Sequence, residues 1–331
     1  MLEIFDCTLR DGGNVVGTGF SAELTRLMLE GLVENGIGAI EYGHPSGIGG
    51  NRKGQKMSEV SDKEYLEAGK PFFGRAEVGM FSQPSGTTDE DVEMAAAAGL
   101  GFLRVGINAG DAVNAEKLVK KIASSSVKAR FSLMKAYVLP PDKLADEARR
   151  VESYGAKSVT IMDSAGYMFP DQTREYAKCL SKAVSIPVGI HSHNNLGLSV
   201  ANALAAVEGG AQSIDTGLMG MARSAGNIST EVVVAALQRI GKAENVNLYG
   251  LLSFIDSKLA PRMQEHDYKA PITTLDLVLG YSGCHSNYLP LFREAAETEK
   301  VDLYQLIVKV SEQDMKSPSK DFIINTARQL S

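Results

Sequence analysis

Two short stretches of this chain carry residue types that could do chemistry together. The first is HSHNN, residues 191–195. His191 and His193 stand two apart in a segment that reads as a strand, so both imidazoles point to one face. Two imidazoles on one face can grip a single divalent metal ion. The second is FDCTLRDGG, residues 5–13, which places Asp6, Arg10 and Asp11 where an apolar run (Leu2, Ile4, Phe5) gives out. A metal held by two histidines needs at least one carboxylate, and Asp11 is the candidate. Such a set leaves positions open for substrate and water. Ligation by nitrogen and oxygen without thiolate suits Mn2+, Mg2+, Co2+, Fe2+ or Zn2+, and spacing does not choose among them. Arg10 beside Asp11 offers a fixed guanidinium for negative charge on a carbonyl oxygen turning into an enolate. Its alternative is a structural ion pair with Asp6 or Asp163. Gly12 and Gly13 are expected to let the chain turn tightly enough to aim Arg10 and Asp11 inward. DSAG, residues 163–166, could set Ser164 and backbone N–H groups against a substrate carboxylate, or could be only a turn.

These residues meet only if the chain brings its first and seventh strands together. Eight apolar or β-branched runs read as strands: 2–9, 39–43, 72–81, 102–107, 130–138, 158–164, 187–193 and 212–220. Amphipathic helical stretches lie between them. Strict β/α alternation argues a parallel sheet covered by helices. Eight units in about 240 residues fit a closed (β/α)8 TIM barrel better than an open doubly wound sheet. No G-x-G-x-x-G follows the first strand, and SGIGG at 46–50 lacks the spacing and the following helix of a dinucleotide site. In a closed barrel only strand eight separates strands one and seven. Residues at the C-terminal strand ends then face one site. Those ends read Asp6, Arg10, Asp11, Glu41, His44, Glu77, Arg104, Asn108, Lys135, Tyr137, Asp163, Ser164, His191, His193, Asn194 and Asp215, with Arg223 and Asn227 in the loop beyond. Polar groups at nearly every strand end suggest a built site. After residue 245 the pattern turns helical. The division expected is a barrel over 1–245 and a helical unit over 246–331 packed on it.

Composition bounds the partners. The chain has 331 residues, 44% hydrophobic and 22% charged, with net charge −6. It is long enough for one α/β domain of about 250 residues and a smaller unit. The acidic balance gives no reason to expect nucleic acid or an anionic membrane surface. Cys7, Cys179 and Cys284 are odd in number and scattered. They read as reduced thiols of a cytoplasmic protein, not a disulfide frame or a zinc cluster. No secretory signal is expected from the N-terminus, and no run approaches the ~18 apolar residues of a membrane span.

FDCTLRDGG, MDSAGYM, HSHNNLGLSVANALAAVEGGAQSIDTGLMGMARSAGNISTE and GYSGCHSNYL, in that order, resemble the metal-dependent pyruvate aldolases typified by 4-hydroxy-2-oxovalerate aldolase. These belong to the wider DRE-TIM metallolyases, with hydroxymethylglutaryl-CoA lyase and the isopropylmalate and homocitrate synthases. The resemblance spans nearly the whole chain. It implies that Asp11, His191 and His193 bind the metal, Mn2+ first among the candidates, with Asn227 as a further ligand or its neighbour. It implies that Arg10 stabilises a pyruvate enolate and that Ser164, with Asp163 beside it, holds the keto-acid carboxylate. Two departures stand out. The aldolases carry a histidine base three residues after the metal aspartate, and this chain has Asn14, which takes no proton at neutral pH. They also carry a tyrosine in the GY-x-G-x-Y stretch where this chain has His285. His285, His44 or a metal-bound water is therefore the candidate for acid–base work.

The expected activity is a divalent-metal aldolase that cleaves or forms a 4-hydroxy-2-oxo acid, giving pyruvate and an aldehyde through a stabilised enolate. The alternatives are a Claisen-type acyl-CoA synthase or lyase with the same enolate chemistry, and a non-catalytic or partner-dependent subunit. The resemblance also implies an acylating aldehyde dehydrogenase as partner, docked on the helices after 245. A homo-oligomer is expected.

Overall fold

The computed structural model describes residues 2–52, 57–282, 284, 288–314 and 317–331. Eight strands close into a barrel in chain order: β1 (Glu3–Asp6), β2 (Ala39–Tyr42), β3 (Glu77–Ser82), β4 (Phe102–Asn108), β5 (Lys128–Met134), β6 (Ser158–Asp163), β7 (Val188–Ser192) and β8 (Ser213–Thr216). Every neighbouring pair is parallel, and β1 closes on β8 with Glu3 opposite Ser213 and Asp6 opposite Thr216. This is the TIM barrel expected from the alternation. The covering helices start where the sequence supplies their caps. Ser21 accepts the N–H of Leu24 at 3.2 Å, Ser61 and Thr88 open capping boxes, and Pro141 and Pro170 occupy first helical turns.

The two-residue period of the strands sorts two cores. Ile4, Ile40, Val78 and Leu103 belong to the large apolar layer shared with the helices. Phe5, Cys7, Ala39 and Phe102 form a small separate cluster. Arginines pack on it. Arg104 lies 4.4 Å over the Phe5 ring, and Arg130 lies 5.1 Å over both Phe5 and Phe102. Arg130 is answered by Glu3 at 2.7 Å and Glu77 at 3.0 Å. Aromatic faces and ion pairs take the place of much of the branched aliphatic filling usual in such barrels.

Seven of the eight strands are shorter than expected and β4 runs one residue longer, and three site candidates lie away from the C-terminal rim. β3 begins at Glu77, not residue 72, because Lys70–Phe72 form a 3-10 turn. Glu77 therefore lies at the start of its strand, away from the C-terminal mouth. Arg104 and Asp215 are the third residues of β4 and β8, so they sit within the barrel and not at its rim. β1 stops at Asp6 because the Asp6 carboxylate accepts the Thr8 N–H at 2.9 Å and the Thr230 hydroxyl at 2.7 Å. The chain then makes the helical turn Thr8–Asp11.

Beyond residue 247 the elements are helical, as expected: Leu248–Phe254, a π turn at Ile255–Leu259, then Ala260–Gln264, Thr274–Ser282, Leu289–Glu299, Leu303–Ser311 and Lys320–Leu330. The Asn247 N–H donates to Asn35 O at 3.0 Å, Arg262 pairs with Glu23 at 2.9 Å, and the Tyr268 hydroxyl donates to Met219 O at 2.9 Å. Among the described residues no helix is long and apolar enough to cross a membrane.

The loop after β8 depends on one buried carboxyl. Glu231 accepts the Met219 N–H at 3.1 Å, and Met219 holds a left-handed conformation with φ 56°. Burial, with a contribution from the Asp6 charge, pushes the Glu231 pKa from 4.5 up to about 7. The folded state thus keeps a proton that the unfolded state gives up between those values. The stability linked to it is fully present below pH 4.5 and is lost as pH rises through 7. Glu231→Gln removes this loss. Urea unfolding of the metal-free proteins at pH 5 and pH 8 should show the variant gaining about 3 kcal/mol on wild type across that span. Parallel pH profiles would refute the assignment.

Candidate metal centre

The turn after β1 carries Arg10 and Asp11, and both are buried. The expectation that Gly12 and Gly13 tighten this turn gives way to a packing reason. Gly12 has an ordinary helical φ of −62°. A Cβ on Gly12 would meet Met221 Cβ at 3.0 Å, and one on Gly13 would meet Gly19 Cα at 3.0 Å. The glycines let neighbouring loops close over the turn.

β7 supplies His191, and His193 follows just past its end. An isolated antiparallel bridge between His193 and Asn227 brings in the loop beyond β8. One oxygen of Asp11 and one nitrogen each of His191 and His193 lie within 4.8 Å of one another. Asp11 Oδ2 is 3.6 Å from His191 Nε2 and 3.9 Å from His193 Nε2. Ligand atoms around a divalent ion at about 2.1 Å stand about 3–3.5 Å apart. The two Asp11–histidine distances lie within a few tenths of an ångström of that span. Asn227 Nδ2 donates to Asp11 Oδ2 at 3.0 Å, which leaves its buried Oδ1 without a partner. The donor set and this orphaned oxygen fit a divalent metal, so the cluster is a potential metal site.

The two oxygens of Asp11 are in different surroundings. Oδ1 faces Arg10 Nη1 at 3.1 Å and accepts from Asn14 Nδ2 at 3.4 Å. Asn14 Nδ2 also donates to the Asp11 carbonyl at 2.8 Å. Oδ2 is the oxygen turned toward the histidines. Burial alone would raise the Asp11 pKa, but Arg10, then the histidines and Asn227, hold it well below the usual carboxylate range. Burial lowers the His193 pKa to about 4, which keeps the imidazole neutral and able to ligate. His191 Nδ1 stands 3.1 Å from Asp215 Oδ2. Arg104 keeps Asp215 ionised against the effect of burial. An ionised carboxylate only accepts, so Nδ1 points a proton at Asp215, and Nε2 is the nitrogen turned toward Asp11.

Cys7, His191 and Asp215 also lie within 4.8 Å of one another. Burial pushes the Cys7 thiol well above its ordinary pKa, and it donates to Thr216 O at 3.1 Å. Asp215 is engaged by Arg104. A protonated thiol and an occupied carboxylate make a poor ligand set.

Arg10 does not pair with Asp6 or Asp163. Its Nε donates to Glu41 Oε2 at 2.6 Å, Nη1 faces Asp11, and Nη2 is buried without a partner. The guanidinium rests 4.7 Å over the Phe81 ring. Asp163 instead accepts the N–H groups of Tyr167 at 2.8 Å and Met168 at 3.1 Å, and the Ser192 hydroxyl at 3.2 Å. It shapes the turn that presents Ser164, whose Oγ accepts the Lys135 N–H at 2.9 Å. His44 is buried, and its Nδ1 accepts the Ser46 N–H at 3.0 Å. A Cβ on Gly50 would stand 2.0 Å from that nitrogen, so only glycine fits there. His285 lies outside the described residues. Glu41, Arg104 and Asp215 were visible in the sequence only as polar residues near strand ends. The stronger signal was a full charge inside the apolar runs AIEYG and FLRVGI, since a charge buried in a strand needs an opposite charge beside it.

The HMGL-like family model matches residues 1–257. The chain belongs to the HMGL-like family. Among relatives of this HMGL-like chain is a protein named 4-hydroxy-2-oxovalerate aldolase from Carboxydothermus hydrogenoformans. It is 34% identical over 330 residues, covering 100% of this chain and 97% of the relative. A protein of the same name from Geobacillus genomosp. 3 is 32% identical, covering 100% of this chain and 97% of the relative. The solved structure of a Bacillus subtilis HMG-CoA lyase aligns with a TM-score of 0.67 at 18% identity, over 84% of this chain and 98% of that one. The carboxyl transferase domain of Rhizobium etli pyruvate carboxylase aligns with a TM-score of 0.67 at 17% identity, over 99% of this chain and 60% of that one. At these identities the structures speak for the fold alone. The sequence relatives bear out the resemblance read from the RDGG and HSHNN segments.

The ligand assignment in this HMGL-like chain is open to direct titration. Calorimetry with Mn2+ should show binding abolished in Asp11→Asn and His193→Ala, and weakened about 10- to 100-fold in Asn227→Ala. Equal Mn2+ affinity in wild type and Asp11→Asn would place the ion elsewhere.

Proposed function

We propose that this chain is a divalent-metal-dependent carbon–carbon lyase, a class II aldolase that cleaves or forms a 4-hydroxy-2-oxo acid with release or uptake of pyruvate and an aldehyde. The observation that carries the reading is the buried Arg10 set against Asp11 with one guanidinium nitrogen unpartnered, beside two histidines of suitable spacing. Support comes from full-length relatives named 4-hydroxy-2-oxovalerate aldolase. Asp11, His191 and His193 would hold the ion, with Asn227 Oδ1 beside it. We favour Mn2+ and keep Mg2+, Co2+ and Zn2+ as candidates. A bound divalent ion supplies Lewis-acid polarisation of a 2-oxo group.

The protein side of the reaction follows from its side chains. Arg10 Nη2 donates to the substrate oxygen on which charge grows as the C3–C4 bond breaks. This contact strengthens along the reaction, as transition-state stabilisation requires. Ser164 Oγ already accepts from Lys135, so its own hydrogen is left to donate to the substrate carboxylate. Asp163 serves by folding the turn that holds Ser164. His44 Nδ1 accepts from the Ser46 N–H, so Nε2 is the ring nitrogen left for proton transfer. Acid–base work in this reading falls to His285 or His44: the base that takes the 4-hydroxyl proton as the C3–C4 bond breaks becomes the cationic acid that returns it to the enolate carbon. Residues 1–245 are the catalytic domain in this reading. Residues 246–331 complete the site and offer the contact surface for a homo-oligomer or an acylating aldehyde dehydrogenase. Cys7, Cys179 and Cys284 are in no disulfide among the described residues, which supports the cytoplasm as the compartment.

Pyruvate release from 4-hydroxy-2-oxo acids of varied side chain, measured with and without a chelator, tests the activity. Chelator-sensitive turnover is expected on at least one of them. Its absence across the whole series overturns the reading. Arg10→Lys should lower kcat about 10²- to 10³-fold with a smaller change in KM, since the lost contact belongs to the transition state. A loss confined to KM would assign Arg10 to substrate binding alone.

A further inference from the structure

We infer that Arg104 is a positioning residue that couples the metal-ligand side of the site to the Arg10 side. It is 1% exposed and enters from β4, which stands two strands from the β2 of Glu41 and opposite the β8 of Asp215. Its Nε donates to Glu41 Oε1 and its Nη2 to Glu41 Oε2, both at 2.7 Å. Its Nη1 donates to Asp215 Oδ2. Each carboxylate also holds one residue of the site. Glu41 Oε2 accepts from Arg10 Nε at 2.6 Å, and Asp215 Oδ2 faces His191 Nδ1 at 3.1 Å. One planar guanidinium therefore lies between the orientation of Arg10 and the ring orientation of His191. A planar fork fixes the relative positions of both acceptors, which a flexible ammonium does not do. When Glu41 shifts, Arg104 turns, and Asp215 and His191 turn with it. The inference rests on the proposed function only in giving Arg10 and His191 a shared reaction, and its test reads metal binding.

The test is a double-mutant cycle on Mn2+ affinity, measured by calorimetry on metal-stripped full-length protein. The variants are Glu41→Gln, Asp215→Asn and the pair, each with Arg104 intact and with Arg104→Lys. Far-UV circular dichroism checks the fold of each. Each single change should weaken Mn2+ binding. With Arg104 intact, the pair should fall short of the product of the single effects by about 5-fold or more. With Arg104→Lys the shortfall should vanish. Independent effects with Arg104 intact, or the same shortfall in both backgrounds, overturn the inference. If Arg104→Lys does not fold, the cycle with Arg104 intact decides alone: coupling sustains the inference and independence ends it. Pyruvate release is followed on the same samples. Its absence with Mn2+ coupling present would count against the aldolase reading and not against the role of Arg104.

Discussion

An arginine inside a barrel cannot shed its charge, so the chain must answer it with carboxylates. Arg104 imposes this constraint, and much of the site follows from it. The answering groups, Glu41 and Asp215, come from β2 and β8, the two neighbours of β1, the strand that leads into the turn carrying Arg10 and Asp11. Removing such charges from water is costly, and the cost is offset only where every partner is in place. The buried set thereby selects strand register. A one-residue slip of β4 would turn Arg104 into the outer apolar layer, where Leu103 and Val105 now sit. The same contacts that make the barrel tolerable to fold also aim Arg10 and His191.

Much of this was legible from pattern. Eight apolar runs separated by amphipathic stretches became eight parallel strands. The two-residue spacing of His191 and His193 became two rings beside Asp11. What stayed hidden were the strand ends and the partners of buried charges. Asp6 reads as part of a strand, yet its carboxylate accepts two hydrogen bonds that end the strand there. Phe72 and Phe73 read as strand because they are apolar, but a 3-10 turn buries Phe72 outside the sheet. The pairing of Arg10 with Glu41 depends on which strand lies beside which at side-chain level. Local periodicity carries no such information.

Asn14 changes meaning once its contacts are known. From sequence it is the residue that cannot remove a proton. In the structure its amide donates to the carbonyl and to Oδ1 of Asp11. Together with Arg10 it occupies one carboxylate oxygen and leaves the other for the histidine side. A lost proton acceptor is thus also a gained donor. The consequence falls on ligand geometry, since Asp11 is turned to offer a single oxygen. Any base for the reaction must come from a different part of the site.

Of the three buried site atoms without partners, Arg10 Nη2, Asn227 Oδ1 and His193 Nδ1, the first two describe what the site is shaped to receive. Arg10 Nη2 is a donor and Asn227 Oδ1 is an acceptor. Each orphan of this kind costs about 1–3 kcal/mol in an isolated protein. They flank the same carboxylate, since Arg10 touches Asp11 Oδ1 and Asn227 touches Asp11 Oδ2. Their demands are opposite in sign: the donor needs an electron-rich oxygen and the acceptor needs a cation or a polar hydrogen. A divalent cation held by the histidine side would answer Asn227 Oδ1, and an oxygen of the substrate would answer Arg10 Nη2. The keto oxygen of a 2-oxo acid is such an oxygen, and it gains charge as a bond to the neighbouring carbon breaks. The unsatisfied donor is therefore worth more as the reaction proceeds than in the resting protein, which is the condition for an orphan to serve catalysis.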